Sequence, residues 1–336
     1  MDEEPTIEWF GATTFRLNTP SLTIFLDTWL DRPSSLPQYL PISSITKCDY
    51  ILISHAHFDH LPGADRIALS TGATIIGNGE AISVMRAAGV PESQLLAVSG
   101  GETIPLGAGD VVVKSWPSTH CIMPPGDHRE LPEELDTGTV YLGREGGTLD
   151  VTRGMAAGFG GMIAAPDERF KGAPEGVRSF REWIKDRERN RYSFFDGGQI
   201  MYSLEFMGRR GGSGGGGGRG NRSLLWSAHM GGYEGVLRGL PRRPDVAILA
   251  AAGRAVLDGE PWQGSAAEFL AAQCRWLKEP ERVFWCLHDE QPLKPYRIRT
   301  EAATKMVEER TRSKVWTLTP AVRYRLFVDE VVVGLE

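Results

Sequence analysis

Residues 51–65 read ILISHAHFDHLPGAD, which puts His55, His57, Asp59 and His60 within six positions directly after an apolar run. The chain has only seven histidines in 336 residues, so three in one short stretch call for a chemical reason. Neutral imidazoles bind Zn²⁺ at about 2.0–2.1 Å, and carboxylates bind at similar distances. Three imidazoles and a carboxylate exceed what one tetrahedral ion takes easily from a single loop. The stretch therefore points to two neighbouring ions, or to one ion beside a catalytic carboxylate. The plainer reading, a set of hydrogen-bonded surface histidines, suits a lone histidine better than four donors in H-x-H-x-D-H.

These donors need a scaffold. They follow DYILIS (49–54), a continuous β-branched run of the kind buried on both faces of a sheet. His55 and His57, two apart, point the same way from an extended segment, and Asp59 continues that row if the chain stays extended. LPGAD then offers a turn into a helix. The donors thus sit in a loop at the C-terminal end of a buried strand, where open α/β sheets bind ligands.

Elsewhere TIEWFGATTFRL and LTIFLDTWL read as β-rich runs separated by NTPS. ATIIG and DVVVKSW repeat the apolar pattern, with GEAISVMRAAG between them as a helix closed by Gly89. Residues 122–195 are polar and glycine-rich with one helical piece, VRSFREWIKDRER, and read as an insertion or lid. IMYSLEFMG and SLLWSAH read as strands joined by a flexible glycine-rich linker at 209–222. Beyond it GYEGVLRGL, SAAEFLAAQCRWL and TEAATKMVEERT read as helices, the second with Ser265 and Glu268 in a capping-box pattern. DVAILAAAG, RVFWCLH, KVWTL and YRLFVD read as strands. The chain reads as α/β, a single domain over 1–336 with two sheets between helical layers, and without a strong internal repeat.

A hydrophobic content of 41% suffices for a large core. Net charge of −6 gives no basic footprint for nucleic acid. No apolar run approaches the ~20 residues of a transmembrane helix. MDEEPTIEWF is acidic and lacks the apolar region of a signal peptide. Cys48, Cys121, Cys274 and Cys286 form no C-x-x-C pair and read as buried thiols of a cytoplasmic protein. Cys121 adjoins a histidine, and a thiolate ligand is conceivable there; packing is favoured because neighbouring side chains of an extended chain point apart. Tyr233, Trp29, Trp116 and Trp262 read as core before pocket lining.

SHAHFDH resembles the H-x-H-x-D-H signature of the metallo-β-lactamase fold superfamily. The opening IEWFGATTFRL and LTIFLDTWL resemble the branch that includes ascorbate-phosphate lactonase-like and N-acylphosphatidylethanolamine phospholipase-like hydrolases. The resemblance covers most of the chain apart from 122–195 and the glycine linker. It implies an αββα sandwich with one or two ions, Zn²⁺ by default, at one edge. It assigns His55, His57 and His120 to a first ion, and Asp59, His60 and His288 to a second. Asp27, at the end of LTIFLD, would support the metal loop, and Asp289 and Glu290 would orient His288 or face water. Two positions depart from the pattern. Where relatives carry a bridging aspartate after Ser-Gly, this chain has Ser227, Ala228 and His229. A histidine there ligates one ion and bridges two poorly; Asp196 and Glu234 are the nearest other carboxylates. Ala12 stands where relatives often carry histidine.

The activity implied is attack by a metal-bound hydroxide on a small-molecule lactone, ester or thioester, with Asp59 holding the water and moving its proton or ligating the second ion. A phosphodiesterase or phospholipase is the alternative, and a metal-binding assembly or binding protein without hydrolysis is a third. No G-x-S-x-G offers a serine nucleophile. His128, in the insertion, reads as a solvated loop histidine unless the insertion folds over the metals. Oligomeric state is left open.

Overall fold

The computed structural model describes residues 4–125, 130–144, 148–208 and 220–328. His128 and most of the glycine linker lie outside the described residues.

Successive side chains of a strand face opposite ways, and in the central strands of this chain both directions are apolar. Six strands form most of one sheet: β1 (Thr6–Trp9), β2 (Phe15–Asn18), β3 (Thr23–Leu26), β4 (Tyr50–Leu52), β5 (Thr74–Gly77) and β6 (Leu95–Ala97). A second sheet takes β7 (Thr103–Leu106), β8 (Val111–Pro117), β9 (Ile200–Phe206), β10 (Arg222–Ser227), β11 (Val246–Ala250), β12 (Arg282–Cys286) and β13 (Lys314–Trp316) in chain order. The last strand, β14 (Arg323–Arg325), returns to the first sheet beside β1.

Both sheets begin antiparallel and end parallel. β1, β2 and β3 pair antiparallel, then β3 to β6 run parallel. β7 to β10 pair antiparallel, then β10 to β13 run parallel. The inner faces meet in one core, which holds Leu52 of β4, Trp226 of β10 and Ile248 of β11. On the outer face of the first sheet, Ile51 and Ile75 pack with α1 (Ala64–Thr71) and α2 (Gly79–Ala87). On the outer face of the second, Leu225, Ala247 and Val283 pack with helices 234–239, 266–276 and 301–310. This is the αββα sandwich. Ser265 caps its helix through the capping box with Glu268.

Two local expectations need correction. TIEWFGATTFRL is itself a hairpin: Gly11 (φ 89°) and Ala12 (φ 44°) turn the chain between β1 and β2. The described parts of 122–195 carry regular elements. There the Glu134–Asp136 strand pairs with Arg297–Arg299, and Val140–Tyr141 pairs with Gly264–Ser265. The stretch also contains an unexpected helix, α3 (Thr148–Ala164), before the expected α4 (Glu175–Lys185). Four glycines (154, 158, 160, 161) hide α3 in the sequence, since each costs about 1 kcal/mol against alanine. Tertiary contacts offset that cost. Phe159, Met162 and Ile163 pack against the main core, and Arg181 of α4 donates to the carbonyls of Met162 (3.0 Å) and Ala165 (2.5 Å) at the end of α3. Among the described residues no helix is long and apolar enough to cross a membrane.

Candidate metal centre

After β4 the chain leaves the extended state. The N–H groups of His60 and Leu61 both donate to the carbonyl of His57 (3.3 and 3.1 Å), so 57–61 is a turn. The alternating row expected for His55, His57 and Asp59 is therefore not what aligns them. The loop is pinned from outside instead. Ile200 N–H donates to Ser54 O, Ser193 N–H to Ala56 O, Ala56 N–H to Asp196 O, and Thr28 N–H to His60 O. Gly63 (φ 98°) ends the loop where no side chain fits: a Cβ would lie 2.9 Å from Thr28 O.

The loop meets the second sheet at its C-terminal edge. His120 lies three residues past β8, and His229 two residues past β10. Gly231 is pressed so closely on Thr119 that a Cβ would collide with its carbonyl oxygen, which brings these two strand ends together. Ser227 Oγ donates to His229 O (3.1 Å) and fixes the turn that carries the imidazole.

Five buried imidazoles converge: His55, His57, His60, His120 and His229. His55 Nε2 is 3.0 Å from His57 Nδ1, which is 3.1 Å from His120 Nε2. His55 lies 4.0 Å from His60 and 4.8 Å from His229, ring centre to ring centre. Among the described residues, ligand atoms within 4.8 Å of one another form three sets capable of holding a metal ion: His55, His57 and His120; His55, His60 and His229; and His120, Cys121 and His229.

Fixed partners decide which ring nitrogen faces the cluster. His120 Nδ1 lies 2.5 Å from Cys121 O. A carbonyl only accepts, so Nδ1 carries the hydrogen and Nε2 keeps its lone pair. Asp27 Oδ2 holds His60 Nδ1 at 2.6 Å, with the same consequence for His60 once it is neutral. Ser54 Oγ donates to Asp27 and is left to accept from His55 Nδ1 at 3.0 Å. Asp27 itself is fully buried in a left-handed conformation (φ 47°). That conformation costs about 1–2 kcal/mol, offset by donors from Thr13 Oγ1 (2.7 Å), Ser54 N–H (2.9 Å) and Ser54 Oγ. Thr13 and Ser54 carried no signal in the sequence; they matter through Asp27.

Burial drives the pKa of His55, His57, His120 and His229 below the ordinary value, with their like neighbours adding to the effect for His55, His57 and His229. These four are neutral donors. His60 differs. Burial pushes it down, but Asp59 and Asp27 outweigh that and hold it at about 10. Asp59 answers in kind: burial raises it, and His60 and His57 more than compensate, to about 2. Asp59 Oδ1 lies 3.4 Å from His60 Nε2.

His288 lies apart. Its ring stacks on Trp9 (4.9 Å, 11°), and it belongs to none of the three donor sets. Asp289 does not bond to it. That carboxylate takes the N–H of Ala12 (2.8 Å) and pairs with Arg32 (2.9 Å). Glu234 pairs with Arg238 at the surface, whereas Asp196 lies close enough for its charge to raise His120. Trp29 is core, and Trp116 bonds to Ser203. Cys121, for which packing was favoured, does more than pack: its Sγ is 3.2 Å from His229 Nδ1. The side chains of His120 and Cys121 both reach the cluster because the strand has ended before them.

Nε2 of His229 is buried and has no hydrogen-bond partner, while Nε2 of His60 faces the Asp59 carboxylate at 3.4 Å. A buried nitrogen left bare costs about 1–3 kcal/mol. A cation bound at His229 Nε2 satisfies it, so the residues fit a metal ion.

Residues 23–132 match the family model described as a β-lactamase superfamily domain. A metal-dependent hydrolase of Pyrobaculum islandicum is 40% identical over 103 residues, 31% of this chain and 45% of that protein. The chain spans about half the length of the curated relatives it matches. Among solved structures, Igni18, a metallo hydrolase from Ignicoccus hospitalis, superimposes with a TM-score of 0.54 at 17% identity, covering 95% of this chain and 98% of its own. The metallo-β-lactamase fold protein YhfI from Bacillus subtilis gives 0.50 at 9% identity, covering 96% and 99%. At such identities the likeness is one of fold.

Proposed function

We propose that this chain, which has the metallo-β-lactamase fold and matches the β-lactamase superfamily domain model over residues 23–132, is a metal-dependent hydrolase of a small-molecule lactone, ester or thioester. One observation carries this reading: five buried imidazoles converge beside an ionised aspartate. Zn²⁺ suits such a nitrogen-rich set. His55 Nε2, His57 Nδ1 and His120 Nε2 would hold a first ion; His60 and His229 would hold a second, with Asp59 beside His60. His288, seated on Trp9, is outside the proposed set.

A bound ion supplies Lewis acidity and lowers the pKa of water from about 15.7 toward about 7. The chain's own residues do the rest. Asp59, ionised and only partly exposed, accepts a hydrogen bond from the attacking water and takes up its proton at a carboxylate oxygen. Asp27 keeps His60 in one orientation through Nδ1. Behind the loop, Phe58 packs edge-on against Phe159 (5.2 Å) and Phe180 (5.3 Å) of the insertion, which keeps water from the back of the imidazoles. The insertion thereby acts as a wall of the site.

A carbonyl substrate is placed ahead of a phosphodiester on fold-level analogy, and because an imidazole at position 229 bridges two ions poorly, whereas in-line displacement at phosphorus is best served by two fully occupied ions. The test is metal analysis of the purified protein together with a panel of a lactone, a thioester and bis-nitrophenyl phosphate. We expect bound zinc and turnover of the carbonyl substrates. Faster turnover of the phosphodiester would replace the substrate reading, and metal without turnover of any kind would favour a binding protein.

A further inference from the structure

Cys121 and His229 come from different strand ends, yet Sγ and Nδ1 lie 3.2 Å apart. The sulfur is locked in place. Ile122 and Arg254 exchange backbone hydrogen bonds (2.9 and 2.7 Å), and Gly253 (φ 88°) lies so close that a Cβ there would sit 2.7 Å from Sγ. Both side chains are buried, Cys121 at 7% exposure and His229 at 4%. The other nitrogen of His229, Nε2, has no hydrogen-bond partner, and the residue shares a donor set with His55 and His60.

We propose that Cys121 is the positioning residue of His229: its sulfur accepts the Nδ1 hydrogen and so fixes the tautomer whose Nε2 lone pair faces His55 and His60. The inference rests on the metal-centre reading of the site. It completes a pattern in which His55, His60, His120 and His229 are each held at one nitrogen by Ser54, Asp27, the Cys121 carbonyl and the Cys121 sulfur. Partners of this kind set ring orientation and ligand basicity. Sulfur is a weak acceptor beside a carboxylate, so His229 is the more loosely held imidazole and His60 the more tightly held one.

The rival role is direct ligation by a thiolate, since His120, Cys121 and His229 also form a donor set. Counting nitrogens decides against it. His120 Nδ1 is bonded to Cys121 O, and Nε2 lies against His57 Nδ1. An ion on the sulfur would have to draw His120 out of the His55–His57–His120 set.

Cobalt titration of the metal-stripped full chain, read by absorption and by chelator competition, tests this. We expect wild type to take up Co²⁺ without a thiolate-to-cobalt charge-transfer band. Cys121→Ala should weaken the looser binding phase about 10–100-fold and leave the tighter phase alone. Cys121→Ser, whose hydroxyl also accepts, should recover most of the loss. In a His229→Ala background, Cys121→Ala should change nothing further, because the two residues act as one unit. A charge-transfer band that vanishes in Cys121→Ser would make the sulfur a ligand and overturn the proposal. An undiminished looser phase in Cys121→Ala, or equal losses in both backgrounds, would also overturn it. Absence of any Co²⁺ uptake by wild type defeats the metal-centre reading itself, and this proposal with it.

Discussion

The two sheets share one plan but feed the site differently. From the first sheet, a single loop after β4 delivers His55, His57, Asp59 and His60. From the second, His120 and Cys121 follow β8 while His229 follows β10, over a hundred residues later. The first contribution is local and braced by side chains: Asp27, Ser54 and Thr13 grip it. The second exists only once β8, β9 and β10 pair, and its imidazoles are held by a backbone carbonyl and a sulfur. A site assembled this way has a rigid half and a half that depends on the fold, and substitutions in the two should differ in kind.

The largest effect belongs to the first position, which draws on both sheets. His55 shares a donor set with His57 and His120. His55→Ala and His120→Ala should each empty that position and leave at most the second ion, read by elemental analysis. Equal, wild-type-like metal content in both variants would remove these residues from the ligand set. Next comes Asp59→Asn. The amide keeps the shape and loses the carboxylate that handles the proton, so turnover should fall roughly 10²–10⁴-fold. The loss of turnover should exceed the loss of thermal stability that follows from breaking the Asp59 pair with His60. A near-native rate would make Asp59 purely structural.

A smaller effect is expected at Asp27, because it acts through His60. Asp27→Asn should weaken metal binding about 10–100-fold and, by breaking a buried charge pair, destabilise the fold by about 3–5 kcal/mol. The same pair sets a pH dependence. In the metal-free chain His60 holds its proton up to about 10 under the influence of Asp59 and Asp27. An ion that takes His60 Nε2 must displace that proton, so affinity at this position should rise about tenfold per pH unit below 10. Calorimetry in buffers of different ionisation enthalpy should find about one proton released at this position. No release would mean His60 is not a ligand.

What the sequence revealed follows the same division. His55, His57, Asp59 and His60 were legible because their spacing is local, and Ile51–Leu52 and Val246–Ala250 were legible as strands because both faces are apolar. His120 and His229 had to be placed through resemblance, since nothing in the stretches around them records which strands pair. Cys121 packs in the core as expected, but the extended strand ends at Pro117, so its contact with His229 had no signature in the sequence. Helix α3 was missed because its glycines speak against a helix, and the packing of Phe159, Met162 and Ile163 and the bonds from Arg181 leave no local signal. Thr13 and Ser54 had no pattern at all; their roles come from where β1–β2 and β4 bring them.

The smallest effect should come from the one connection in which the two sheets diverge most. In the first sheet β2 and β3 are joined by residues 19–22, a tight turn closed by Thr19 N–H to Leu22 O (2.8 Å). The corresponding hairpin of the second sheet joins β9 and β10 through the glycine-rich stretch, most of which is outside the described residues. Phe206 pairs with Arg222 at that end, whereas Ser227 and His229 lie at the other end of β10. A strand of this length separates the two by about 20 Å. Removing the glycines of GGSGGGGG shortens a loop whose closure cost changes only with the logarithm of length, about 0.6 kcal/mol per doubling. Metal content, turnover and melting temperature should therefore match the parent within error. If the shortened chain bound metal normally but lost turnover, the stretch would have to reach the substrate from the far end of the sheet. The picture of a site confined to the C-terminal edge of both sheets would then be wrong.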